Sequence, residues 1–264
     1  KQRGSLAAVI RVIAFQLPDP AELSIPEDVM SIADLTKGMV LVTGSAGSGK
    51  STTLACLINA INQTREGHII TMEDPIEYIH RHDRCIVTQR EISTDSPSYV
   101  SALRSALRES PDVILLGEMR DYETIKTAIT AAETGHLILS TLHTVGAANT
   151  IDRVIDAFPP SQQQQIRTQL SMVLDAVISQ QLIPTVDGGV QPAFEVMFLN
   201  NAIRNMIRES KIHQIDGVIA TSQGEGMISM DNSLIRLFRQ GVISRETAVT
   251  YSSNGELMER KLSR

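Results

Sequence analysis

The sequence predicts an α/β domain built on a mostly parallel sheet, followed by a small C-terminal helical part, and three observations carry that reading. From Met39 onward, short apolar runs alternate with segments whose apolar residues recur at helical spacing, as in a sheet covered on both faces. A glycine-rich turn comes directly after the first of those runs and opens a helix. From Asn200 onward the pattern is mainly helical.

Taken in order, residues 6–10 with Val12 and Ile13 read as one or two strands. Pro18, Pro20 and Pro26 punctuate the next stretch, and proline removes backbone donors, so 18–34 reads as a linker. Residues 39–43 are a strand, and Leu54, Leu57, Ile58 and Ile61 mark the next helix. Residues 68–72, 113–116 and 137–139 are further strands. Before the last of these, Asp121 caps a helix carrying Ile125, Ala128, Ile129 and Ala132, and Gly135 ends it. After Pro159 and Pro160, Ser161 and Gln164 have capping-box spacing. Ile166, Leu170, Val173, Leu174, Val177 and Ile178 then stripe one face of a single predicted helix. Residues 193–199 read as a strand, and helices are centred on 203–207, 234–238 and 247–249. The resulting division is 1–17, a remnant of an earlier domain; 18–34, a linker; 35–200, the α/β domain; and 201–264, the helical part.

Composition narrows the function classes. The chain has 264 residues, 24 Lys+Arg against 30 Asp+Glu and a net charge of -6, which argues against nonspecific binding to a phosphate backbone. Aromatic residues are 3% with no Trp, so stacking platforms for single-stranded nucleic acid are not expected. The two cysteines, Cys56 and Cys85, have no zinc-ligand spacing and fit a reducing compartment. No apolar run approaches the roughly 18–20 residues of a membrane span, so direct membrane insertion is not expected.

The strongest motif runs from Gly44 to Ser51 and satisfies G-x-x-x-x-G-K-[ST], the phosphate-binding loop. Its glycines let the backbone curl so that the amides of Ser45, Ala46, Gly47, Ser48 and Gly49 point at phosphate oxygens. The helix N-terminus after the loop, carrying Thr52 in its first turn, adds partial positive charge. Lys50 neutralises β- and γ-phosphate charge, and the Ser51 hydroxyl binds Mg²⁺. A second motif is the apolar run 113–116 leading to Glu118, a carboxylate at a strand tip, suited to holding a Mg²⁺-bound water. The blander alternative is a buried strand with a surface glutamate.

Glu73, Asp74 and Glu77 form a third cluster, where carboxylate crowding calls for a cation or proton and one acid can take a proton from water. The alternative is a solvated acidic turn. His136 and His143 flank the strand at 137–141, and either imidazole can donate to a γ-phosphate or a carboxylate; a lone histidine is more often structural.

The blocks GSAGSGKSTT, ITMEDPIEY, ALRESPDVILLGEMRD and AAETGHLILSTLHT, in this order, resemble the secretion-type ATPases, the hexameric motors of type II secretion and type IV pili. The resemblance covers roughly residues 3–209 and implies a RecA-like P-loop fold with ATP and Mg²⁺ as its ligands. It implies Glu77 as catalytic base, Glu118 acting through Mg²⁺, and His136 and His143 as γ-phosphate sensors or links to a neighbour. Arg3 and Arg11 match phosphate-binding arginines on the N-terminal side, in the remnant of a PAS-like domain expected to be mostly missing here.

A further block, Ala202, Ile203, Arg204, Asn205, Met206, Ile207, Arg208 and Glu209, resembles the AIRNLIRE motif of pilus-retraction ATPases, with Met206 for Leu. Read without the resemblance, it is a short amphipathic helix with solvated arginines. Two distant cysteines cannot build the tetracysteine metal site usual in the assembly-type motors. The resemblance therefore implies a homohexameric retraction motor for twitching motility, cytoplasmic and peripheral to the inner membrane, partnered by a platform protein at the pilus base. The alternatives are a pilus-assembly or type II secretion ATPase, a RecA-like nucleic-acid-driven motor, and a nucleotide-binding switch that does not turn over.

Overall fold

The computed structural model describes residues 3–8 and 16–263. The predicted strands at 6–13 fall largely outside the described residues, and so does Arg11.

The elements in chain order are α1 (Glu27–Met30), β1 (Gly38–Thr43), α2 (Lys50–Thr64), β2 (Gly67–Glu73), β3 (Cys85–Glu91), α3 (Tyr99–Ala106), β4 (Val113–Leu116), α4 (Tyr122–Glu133) and β5 (Leu137–Leu142). They continue with α5 (Ala147–Asp156), α6 (Pro160–Val173), β6 (Leu174–Pro184), β7 (Val190–Phe198), α7 (Asn201–Arg208), α8 (Ile215–Thr221), α9 (Met230–Arg239), α10 (Arg245–Tyr251) and α11 (Gly255–Leu262). The seven strands form one sheet in the order β3-β2-β4-β5-β1-β6-β7. Every pairing is parallel except that of β6 with β7. The α/β class with a mostly parallel sheet is therefore as expected.

Alternate residues of each strand feed two cores, because side chains along a strand point to opposite faces. Met39 and Leu41 of β1, with Ile70, Ile114 and Ile138, pack against α3 to α8 on one face. Val40 and Val42, with Ile69, Val113 and Leu139, pack against α1 and α2 on the other. Asp121 caps α4 by accepting from the Thr124 amide at 2.9 Å, as the sequence indicated.

Four expectations are corrected. The stripe running through 166–178 is not one helix: α6 ends at Val173, and Leu174 opens β6. Ala176, Val177 and Ile178 are all fully buried, since β6 lies between β1 and β7 with helices on both faces. A strand buried on both faces shows no period-two alternation, and no Gly or Pro separates it from the helix before it. Ser161 does not cap α6 either; Pro159 is the N-cap, without a side-chain bond, and Pro160 is the first helical residue.

The stretch at 18–34 is not an open linker throughout, because Val29 and Ile32 are buried in the core beneath α2. The C-terminal helices do not form one unit from residue 201. Ile203, Ile207, Ile215 and Ile219 belong to the main core. A separate cluster starts at Met230 and packs α9 to α11 on Ile183 and Ala193 of the β6–β7 hairpin. β3, α3 and α5 are elements that the sequence pattern does not announce. Half-buried β3 residues such as Thr88, Gln89 and Arg90 explain the missing apolar run.

Candidate nucleotide-binding site

β1 delivers the glycine-rich loop at its C-terminal end, between β5 and β6. Gly47 and Gly49 take φ values of 74° and 89°, the left-handed region that side chains disfavour. Gly44 has a second constraint, because a Cβ there would lie 2.2 Å from the Gln180 carbonyl oxygen. Gly49 is the N-cap of α2, so the curled loop runs into a helix N-terminus. Together they form a cradle of backbone amides and partial positive charge fitted to an anion. Ser45, Ala46, Gly47 and Ser51 are exposed at its mouth, whereas Ser48 is buried. The Thr52 hydroxyl shares a hydrogen bond of 2.9 Å with the Tyr78 hydroxyl.

Lys50 folds over this loop. Its ammonium donates to the carbonyl oxygens of Gly44 at 3.0 Å and Ser45 at 2.8 Å. Burial pulls the Lys50 pKa down, while the charges of Glu118 and then Glu77 push it back up. The two acids singled out in the sequence thus bring their fields together on the loop lysine.

Glu118 is positioned by the sheet. The Gly117 amide just before it donates to the Met72 carbonyl at 2.7 Å, and Thr141 Oγ1 donates to the Gly117 carbonyl at 2.5 Å. The carboxylate is held between Arg120 Nη2 at 2.6 Å and His143 Nε2 at 3.4 Å. Tyr99 faces the same cluster: burial, then the charges of Glu118, Asp74 and Glu73, raise its phenol pKa, with Arg120 opposing.

The acidic cluster at 73–77 does not act as one group. Glu73 turns inward, where its Oε1 accepts from Thr71 Oγ1 at 2.6 Å and Gln89 Nε2 at 3.3 Å. Burial pushes its carboxyl up, and hydrogen bonds from Thr71, Gln89 and the Glu77 amide only partly offset this. Asp74 is exposed and is joined to Pro75 by a cis peptide bond, and Glu77 is half-buried. Behind them His80 is buried, which drives its pKa to about 4 and leaves it neutral at pH 7.

The two histidines separate. His143 lies just beyond the C-terminal end of β5, beside Glu118. His136 precedes the N-terminal end, where Leu137 pairs with Gly38, so it sits on the opposite rim, about 20 Å along the strand. Its Nδ1 bonds the Ala131 carbonyl at 2.9 Å and closes the α4–β5 turn. A γ-phosphate role for His136 is not supported by this placement, because one strand carries its two ends to opposite edges. Arg3 lies in an exposed turn with φ 46°.

The segment 202–209 forms most of α7, capped by Asn200 accepting from the Ile203 amide at 3.0 Å. Ile203 and Ile207 are buried. Arg204 is not simply solvated: it donates to the carbonyls of Ser171 at 2.7 Å and Leu174 at 3.1 Å, and to Asp175 Oδ1 at 3.0 Å. Arg208 donates to Asn205 Oδ1 and, at 3.4 Å, to Ser171 Oγ. This helix sits at the N-terminal end of β6, on the rim opposite the loop, since Met39 at the start of β1 pairs with Leu174.

Gln180 and Tyr78 meet the loop and its helix, and Arg120 and Tyr99 stand at Glu118 and Gly117; none of the four is a candidate site residue from the sequence. Arg120 stands two residues from Glu118 and was visible; Gln180 comes from a strand whose spacing reads as helix.

Residues 8–236 match the model of the family described as "Type II/IV secretion system protein". The chain is 52% identical over 253 residues to a "Twitching motility protein" of Neisseria gonorrhoeae, covering 96% of this chain and 68% of that one. It is 49% identical over 247 residues to the "Type IV pilus retractation ATPase PilT" of Pseudomonas aeruginosa, covering 94% and 72%. Among solved structures, the "Pilus Retraction Motor PilT and Bound ADP" superposes with a TM-score of 0.93 at 47% identity, over 98% of this chain and 74% of that one.

Proposed function

Since the chain belongs to the Type II/IV secretion system protein family, we propose that it is an ATP-hydrolysing motor that powers type IV pilus retraction. The Lys50 ammonium held over the glycine-rich loop, with Glu118 at the tip of a neighbouring strand, carries the hydrolysis part of this reading, and the 49% identity to a pilus-retraction ATPase supports the retraction part. A cradle alone only binds phosphate; a cradle facing two acids can also turn it over.

In this reading the loop amides from Ser45 to Gly49, with Lys50 and Thr52, bind and orient the phosphates of ATP. Lys50 leaves the Gly44 and Ser45 carbonyls to meet the phosphate charge. Phosphoryl transfer needs little covalent help, so positioning and charge stabilisation dominate. Glu77 orients the attacking water and takes its proton. His143 and Arg120 hold Glu118 and change partners when phosphate is present.

The residues fit Mg²⁺. Among the described residues no group of three or more His, Cys, Asp and Glu side chains forms a ready metal cage. An exposed Ser51 hydroxyl and the Glu118 carboxylate are hard oxygen donors, the set expected when phosphate and water complete the shell. Ser51 would hold the ion directly and Glu118 through water; when bound, Mg²⁺ neutralises charge on the phosphates.

The working form is a homohexameric ring at the cytoplasmic side of the inner membrane, acting on a platform protein at the pilus base. The 52% identity to a twitching motility protein over 96% of this chain supports this assignment. Among the described residues no helix is long and apolar enough to cross a membrane. The test is steady-state phosphate release by the full-length protein with MgATP, together with particle size in solution with and without ATP. A six-subunit particle and turnover abolished by Lys50→Ala are expected. Turnover unaffected by Lys50→Ala would remove the loop from the reaction.

A further inference from the structure

Gln180 comes directly after Ser179, the β6 residue that pairs with the last residue of β1, Thr43. It is 3% exposed. Three of its groups meet the phosphate loop. Its side-chain Oε1 accepts from Thr53 Oγ1, in the first turn of α2, at 2.7 Å. Its Nε2 faces Gly49, where a Cβ would lie 2.7 Å away. Its backbone carbonyl faces Gly44, where a Cβ would lie 2.2 Å away. One residue therefore touches the entry glycine of the loop, its last glycine and the helix that the loop opens.

We propose that Gln180 is a positioning residue for the phosphate loop. It sets the spacing between Gly44 and Gly49 through Thr53 and the loop backbone, without touching nucleotide itself. The inference rests on the nucleotide-site reading above and adds to it a residue outside the motif. The physical need is clear: an amide cradle works only when its N–H vectors converge, and small displacements of such groups are costly. The glycines give the loop its curl but also its freedom, so something else must restrain it. Thr53 is 1% exposed, so a lost partner cannot be replaced easily by water.

The test uses the full-length protein. Gln180→Met removes the amide at similar length, Thr53→Val removes the hydroxyl at the other end, and Thr53→Ser keeps it. MgADP affinity is measured by calorimetry, beside steady-state kinetics and thermal melts. Gln180→Met and Thr53→Val should each weaken ADP binding and raise KM by roughly five- to tenfold, the worth of one buried hydrogen bond. In both, kcat should change less than about twofold, as expected when uniform binding is lost. The double variant should be no weaker than Gln180→Met alone, because that variant already removes the contact that Thr53→Val removes. Thr53→Ser should behave as wild type.

Wild-type ADP affinity in either Gln180→Met or Thr53→Val would overturn the proposal, as would additive losses in the double variant. A lowered melting temperature with unchanged KM would also overturn it, reducing Gln180 to strand packing. If Gln180→Met does not fold, the Thr53→Val and Thr53→Ser pair decides on the same criteria. Wild-type protein that fails to bind MgADP overturns the nucleotide-site reading itself, a result distinguishable from failure at Gln180 alone.

Discussion

Arg120 holds Glu118 through one contact, Nη2 to Oε1 at 2.6 Å, and the two partners differ sharply in burial. The Glu118 side chain is 11% exposed and that of Arg120 is 73%. The acid is fixed by the sheet while the arginine is free to swing. Arg120 thus competes for the carboxylate assigned to the metal-bound water. Arg120→Ala should lower the Mg²⁺ concentration for half-maximal ADP binding by about two- to fivefold, the range for an exposed ion pair. A calorimetric Mg²⁺ titration measures it. A higher Mg²⁺ requirement would instead make Arg120 the group that aims Glu118.

Glu77 acts on Lys50 through its charge, while its backbone amide donates to the inward-turned Glu73 carboxyl. Glu77→Gln should bind ATP with near-normal affinity and hydrolyse it at least about a hundredfold more slowly, the usual worth of a positioned base. Single-turnover phosphate release checks this. Near-normal turnover would take Glu77 out of that role.

Arg204 ties α7 to the end of α6 and the start of β6. Arg204→Ala leaves the Ser171 and Leu174 carbonyls and Asp175 without this partner. It should cost about 1–3 kcal/mol of stability by chemical denaturation. Arg204→Lys should recover little of that, because a point charge cannot reproduce the guanidinium fork.

Arg208 makes fewer such contacts and lies on the same rim, away from the loop. Arg208→Ala should leave ATP turnover near wild type while abolishing pilus retraction in cells. Equal losses of turnover and motility would assign the helix to catalysis.

His80 gives a pH signature. Burial depresses its pKa to about 4 from an ordinary 6.5, so between those values the unfolded chain binds a proton that the folded chain does not. Stability from this group is present above pH 6.5 and is lost as pH falls toward 4, on the order of 3 kcal/mol. Glu73 and Glu195, raised mainly by burial, act with the opposite sign, losing stability as pH rises through their folded values. The His80→Gln difference isolates the histidine: its melting temperature should fall less than wild type between about pH 7 and about pH 4.5. Parallel curves would show that His80 is not depressed.

The phosphate loop and most of the parallel strands are legible in the amino-acid order alone. Their signals are local: a glycine pattern spanning Gly44 to Lys50, and apolar runs such as Val113–Leu116 bounded by turns. Glu118 is legible too, because a carboxylate soon after a buried strand emerges at the sheet rim. The cap at Asp121 can be read for the same reason, its donor being only three residues away.

Where α6 becomes β6 is settled only in the folded sheet. Leu174 to Ile178 suit either conformation by spacing, and pairing with β1 selects the strand. The fold also selects which histidine meets Glu118, since residues at the two ends of one strand are near in sequence but far apart in space. It brings Gln180 beneath a loop that lies far earlier in the chain. Hydrophobic periodicity reports which face of an element is buried, but not which element lies beside it. That choice comes from strand order, and strand order is a property of the assembled sheet.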